Sequence, residues 1–254
     1  MSLTAGVPQP SLAWQFESSS VDSVTGLAPS SVSGTVTYNL AGKYGASINV
    51  FSPTNSFSNA VLYGSSSVAL TPSISSINGF TMCFWLRPHL FYSSGNSTFF
   101  GFAGINSTYS SYFNILGASS GQVVLYCQNP QSLGTAFQTG QSPALPSGSW
   151  SHLAIVCSPG ASYSVITCYL NASSFGSLTT NTVALGSFSV STIALNRNPL
   201  ATYSPGSAEY DDLRIFNKAL TAAQVQAVYN AQGRPNQCVF SNVTGSSQVK
   251  LWHS

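Results

Sequence analysis

The feature that most limits the fold is a recurring pattern of short runs rich in Val, Ile, Tyr, Phe and Thr, cut apart by Gly, Pro, Ser and Asn. Such runs suit a pleated, half-buried surface, and the residues between them favour turns. Fourteen runs lie between Leu12–Phe16 and Asp211–Asn217, among them Ser67–Leu70, Thr81–Arg87, Ser151–Cys157, Ser164–Asn171 and Val183–Leu185. Many short strands without helices between them predict an all-β sandwich or barrel. One segment, Thr221–Gln232, breaks the pattern. Thr221 and Gln224 have capping-box spacing, Leu220 and Val225 supply a hydrophobic staple, and Gly233 and Pro235 mark a stop. This predicts one short helix near the C-terminus. Neither a repeat nor a linker divides residues 12–232, so residues 1–11 read as an N-terminal arm and 233–254 as a C-terminal tail.

A chain of 254 residues, 43% hydrophobic, can bury one sizeable core. Its charge is the anomaly: 5% Asp, Glu, Lys and Arg, with a net charge of +2, where soluble domains carry about 25% charged residues. The cations Lys43, Arg87, Arg197, Arg214, Lys218, Arg234 and Lys250 are scattered, which excludes the phosphate-neutralising patch of a nucleic-acid binder and disfavours an anionic membrane surface. No run reaches the roughly 20 apolar residues of a membrane span, and Met1–Pro10 lacks the basic and apolar regions of a signal peptide. A surface of Ser, Thr, Asn, Gln and Gly suits neutral partners, either sugars or another protein face.

Six segments, taken in order, resemble a known family. The closing run EYDDLRIFNKALTAAQVQAVYNAQG carries an acidic pair, an aliphatic–Arg–aliphatic–aromatic strand and an amphipathic helix. LAWQFESSSVDSVTG, GKYGASINVFS, GFTMCFWLRP, GSWSHLAIVC and VITCYLNAS fall before it in the same order. Together they resemble the laminin-G-like (LamG-like) domains of the concanavalin A-like lectin/glucanase superfamily over about residues 12–232. The resemblance implies a two-sheet antiparallel jelly-roll sandwich with one short C-terminal helix. It implies no single activity, because the fold hosts lectins, adhesion modules, glycosidases and structural proteins. Asn171-Ala172 stands where the family commonly has Asp-Gly, so a looser turn is expected there.

The inventory argues against catalysis. Glycosidases ordinarily need two carboxylates flanking the bond, and the only acids are Glu17, Asp22, Glu209, Asp211 and Asp212. The Glu-x-Asp-x-x-Glu cluster of the superfamily's β-glucanases is absent. His152 matches a structural position of the family, and neither His89 nor His253 is placed between a nucleophile and an acid. No catalytic residue and no cofactor is therefore expected. Calcium is the one metal in question, with Glu209, Asp211 and Asp212 as its candidate ligands. The plainer use of these acids is to bind loop amides and, for Asp212, to pair with Arg214. The five cysteines, Cys83, Cys127, Cys157, Cys168 and Cys238, lack metal-ligand spacing. A hairpin turn centred on Pro159–Ser162 would set Cys168 opposite Leu153, too far from Cys157 for a disulfide, so buried free thiols are expected. The sequons at Asn96, Asn106, Asn171 and Asn242 are as frequent as chance allows in such a composition. Tyr109 and Tyr112, in a Tyr/Ser/Asn-rich segment, and Tyr203, in the loop before the last strand, are candidate binding-surface residues.

Two functions follow from these readings. The first is a non-enzymatic structural or adhesive protein that packs into or onto a larger assembly or onto itself, such as a virion capsid-associated or surface protein. Its expected location is a virion, another external particle or a cell surface. The second is a carbohydrate-binding, lectin-like module.

Overall fold

The protein, here a computed structural model, is described for residues 6–51, 59–65, 67–91, 97–105, 110–128, 136–180, 187–199 and 206–231. Its strands in chain order are β1 (Leu12–Trp14), β2 (Ser31–Ser33), β3 (Val36–Asn39), β4 (Ser47–Val50), β5 (Ala60–Gly64), β6 (Phe80–Leu90), β7 (Ser97–Ile105) and β8 (Ser110–Gly117). They continue with β9 (Val123–Gln128), β10 (Ala136–Gln138), β11 (Ser151–Ser158), β12 (Val165–Leu170), β13 (Ser173–Thr179), β14 (Ser189–Leu195) and β15 (Ser207–Phe216), and helix α1 (Ala222–Asn230) closes the described chain. The larger sheet runs β13-β12-β11-β6-β15-β4-β3, with β1 also paired to β15. The smaller runs β10-β9-β8-β7-β14-β5-β2. Every pairing within both sheets is antiparallel. The expected two-sheet jelly-roll sandwich with one short helix is the fold observed.

Alternation builds the core. On β6, Met82, Phe84 and Leu86 turn into the space between the sheets, where Phe84 stacks on Phe100 at 4.5 Å and Phe102 on Phe113 at 4.5 Å. Burying each such ring is worth about 2–3 kcal/mol. The intervening Cys83 faces outward, into a second apolar cluster. There Val225 and Val228 of α1, with Leu220 before it, cover Cys83, Ala154, Val156 and Phe216 on the outer face of the larger sheet. The helix is capped as expected: the Gln224 amide donates to Thr221 Oγ1 at 3.2 Å and the Thr221 amide to Gln224 Oε1 at 2.9 Å.

Several expectations need correction. The strand expected at Ser67–Leu70 is reduced to an isolated bridge between Ser65 and Val68, and the true strand is β5, just before it. Strand β13 was not expected at all, and Val183–Leu185 lies outside the described residues. Cys168 pairs with Ile155 and Cys157 with Ile166, so the β11–β12 register differs by two residues from the one assumed. Cys83, Cys127, Cys157 and Cys168 are nevertheless buried and free; Cys238 lies outside the described residues. The turn at Asn171-Ala172 is tight rather than loose. Leu170 pairs directly with Ser173, and both turn residues are left-handed, at φ 48° and 66°.

Candidate functional site

Among the described residues, α1 covers the outer face of the larger sheet only in part. Beyond the helix, register sets one residue from each strand in a line across the sheet: Thr37 opposite Asn49, Asn49 opposite Glu209, Glu209 opposite Arg87. Trp150, just before β11, extends the line, its ring centroid 5.1 Å from the Arg87 guanidinium carbon. Four strand spacings make this ladder about 19 Å long. Thr37 is exposed, and Asn49, Arg87 and Trp150 are half-buried. Phe51, 41% exposed, lies at its flank with its ring edge-on to His89 at 6.2 Å.

Glu209 is the buried centre of the ladder, only 2% exposed. Its carboxylate takes Arg87 Nη2 at 2.5 Å and Ser47 Oγ at 2.8 Å, with His89 Nε2 at 3.1 Å and Asn39 Nδ2 at 3.2 Å. Burial alone would raise its pKa, but the bonds from His89, Arg87 and Ser47 outweigh it and hold it at about 2. A buried anion beneath two partly buried nitrogen side chains fixes their position. Arg87 and His89 are thereby held in place along this face.

The neighbouring row is enclosed. Trp85 is flanked by Lys43, its ammonium 4.2 Å from the ring, by Tyr229 of α1, stacked at 5.6 Å, and by His152 at 5.3 Å. Burial, helped by the Arg214 charge, lowers the His152 pKa to about 3 and keeps the ring neutral. Asp211 accepts the Tyr44 amide at 2.8 Å. Burial, with the Asp212 and Glu17 charges, still raises its pKa to about 7. Asp212 sits at a bulge in β15, left-handed at φ 50°, and clasps the buried Arg214 through Nε at 2.8 Å and Nη2 at 2.5 Å. The candidate calcium ligands Glu209, Asp211 and Asp212 are thus engaged with separate protein partners. Among the described residues no group of three or more His, Cys, Asp or Glu side chains stands where it could hold a metal.

Of the candidate surface tyrosines, one is described. Tyr112 is on β8 of the smaller sheet and only 5% exposed, so its ring is not offered to solvent; Tyr109 and Tyr203 lie outside the described residues. The sequence reading missed the ladder. Its trace is the spacing of Trp85, Arg87 and His89 at every second position of one strand, which assigns all three to one face.

A laminin-G family model of the concanavalin A-like lectin/glucanases superfamily matches residues 62–226. The chain belongs to this superfamily. No curated protein matches it. Among solved structures, domain 4 of an extracellular arabinanase from Geobacillus stearothermophilus, in complex with arabinotriose, superposes with TM-score 0.60 at 20% identity, over 87% of this chain and 98% of that one. The binding domain of Paraclostridial Mosquitocidal Protein 1 gives TM-score 0.60 at 16% identity, over 83% of this chain and 49% of that one. That of botulinum neurotoxin serotype G gives 0.59 at 16%, over 87% and 50%. This member of the superfamily spans about half the length of those toxin domains, and at such identities the likeness is one of fold.

Proposed function

We propose that the protein is a non-catalytic binding module that recognises an uncharged oligosaccharide along the ladder Thr37–Asn49–Arg87–Trp150, with Glu209 as a positioning residue beneath it. The observation that carries this reading is the buried Glu209, which immobilises Arg87 and His89 beside the partly exposed rings of Trp150 and Phe51. Sugars are bound by planar donors and acceptors aimed at hydroxyl groups and by aromatic faces set against C–H groups. The ladder supplies an amide, a guanidinium, a hydroxyl and an indole in one row. Arg87 is already paired with Glu209, so a ligand lying over it need bring no counter-charge. The arabinanase domain solved with arabinotriose, and a neurotoxin binding domain solved with SialylT, support a glycan ligand by analogy of fold.

A neutral-glycan array followed by calorimetric titration of the best ligand tests the reading. Trp150→Ala and Arg87→Ala should each weaken binding at least tenfold, and Val68→Ala, an exposed site off the ladder, should leave it unchanged. Silence of the whole array, or full affinity in both ladder variants, overturns it. The wider reading, an adhesive or structural part of a virion or other assembly, draws its support from the scarcity of charge, and copurification with a particle would bear on it.

A further inference from the structure

Strands β2 and β3 are the outer strands of the two sheets at one lateral side of the sandwich, and the chain crosses between them at Gly34-Thr35. Among the described residues, β2 pairs only with β5 and β3 only with β4, so each has one flank without a strand partner there. Free edges of this kind are normally guarded by lysine, proline or a bulge. Neither strand has any of these, and no charged residue occurs from Ser23 to Gly42.

The edge is apolar instead. Of the eleven large hydrophobic residues exposed in the described structure, Val24, Val32, Tyr38 and Leu40 fall within this short stretch and Val21 just before it, with Leu40 89% exposed. The loop after β1 lies beside this edge. The Tyr63 hydroxyl donates to the Ser20 carbonyl at 3.0 Å, and Tyr38 and Asp22 both lie close enough to act on that hydroxyl. On the opposite lateral side the sheets meet tightly: a methyl group on Gly176 of β13 would stand 2.7 Å from the Gly140 nitrogen.

We infer that the β2–β3 edge is a homodimer interface, with β3 pairing antiparallel to β3 of a second copy about a twofold axis. An antiparallel edge presents the same alternation of donors and acceptors to its own copy, so it is self-complementary. An uncharged edge meets its copy without repulsion or loss of charge hydration, whereas a charged partner finds no counter-charge there. A twofold pairing uses the same edge on both copies, so association closes at two. The pairing sets the Thr37 ends of two ladders side by side, but it does not depend on the ladder binding anything.

Sedimentation equilibrium of the full chain, without any sugar, is the test. The wild-type chain should be a dimer that dissociates on dilution. Tyr38→Lys and Val32→Lys should shift it to monomer with an unchanged circular dichroism spectrum, and Val68→Lys, which adds the same charge elsewhere, should stay dimeric. Tyr38→Ser, a milder change, should weaken the dimer at least tenfold and keeps the test open if a lysine variant misfolds. A wild-type monomer at every concentration, open-ended growth beyond two copies, or a dimer indifferent to Tyr38 and Val32 overturns the inference.

Discussion

Glu209 and Asp211 project from the same face of one strand, yet their surroundings drive them in opposite directions. Glu209 falls to about 2 from 4.5, so its contribution to stability is full above 4.5 and is lost as pH drops toward 2. His152 falls to about 3 from 6.5; the unfolded chain takes up that proton first, and stability declines as pH drops from 6.5 to 3. Asp211 rises to about 7 from 3.8, so the folded chain keeps a proton that the unfolded chain releases, and stability declines as pH rises from 3.8 to 7. Between about 4.5 and 6.5 the His152 and Asp211 slopes oppose each other and nearly cancel. Thermal midpoints should therefore form a plateau there and fall steeply below it, where Glu209 and His152 act together. Asp211→Asn removes one of the opposed groups, and its midpoints should climb with pH across the same window. An Asp211→Asn profile as flat as that of the wild type would show that Asp211 is not the group responsible.

The β12–β13 hairpin carries a local cost at the scale of one element. Ala172 sits at φ 66°, where an L-residue with a Cβ is strained by roughly 1–2 kcal/mol. The turn is held because Asn171 exchanges two bonds with His152, its amide donating to the carbonyl and its Oδ1 accepting from the amide, both at 2.8 Å. Ala172→Gly relieves the strain, less a few tenths of a kcal/mol for the freer unfolded chain and the methyl contact with the helix cluster. It should raise stability by about 1 kcal/mol, read from urea unfolding. A lower midpoint would mean that the methyl contact outweighs the strain. The hairpin also illustrates what the sequence could reveal. The helix was legible from Thr221 and Gln224, because a capping box is a contact between neighbours in sequence. Strand β13, Ser-Ser-Phe-Gly-Ser-Leu-Thr, has little strand propensity and exists because β12 offers it an edge. The bulge at Asp212 and the ladder from Thr37 to Trp150 depend on register between strands far apart in sequence, which local pattern does not encode. The order of family-like segments carried the fold; the site needed the pairing.

At the scale of the molecule, charge is sorted between the sheets. None of the seven strands of the smaller sheet carries an Asp, Glu, Lys or Arg, and the sequence has none between Arg87 and Arg197. The ion pairs of Glu209 with Arg87 and of Asp212 with Arg214 belong to the larger sheet, and both acids are buried. Screening acts on exposed charges separated by solvent and reaches such pairs weakly, with a Debye length of about 3 Å at 1 M salt. Sodium chloride should therefore move the thermal midpoint very little from low salt to about 1 M, whereas a domain with an ordinary surface shows a clear dependence. Ammonium sulfate strengthens apolar burial by exclusion from the surface, so it should raise the midpoint and also shift the monomer–dimer equilibrium toward the dimer. The two salts separate screening from exclusion at matched ionic strength, with Tyr38→Lys as the control for the second effect. A midpoint that tracks sodium chloride as closely as ammonium sulfate would mean that exposed charge, sparse as it is, governs stability, and that the charge-free sheet is not the determining property of the surface.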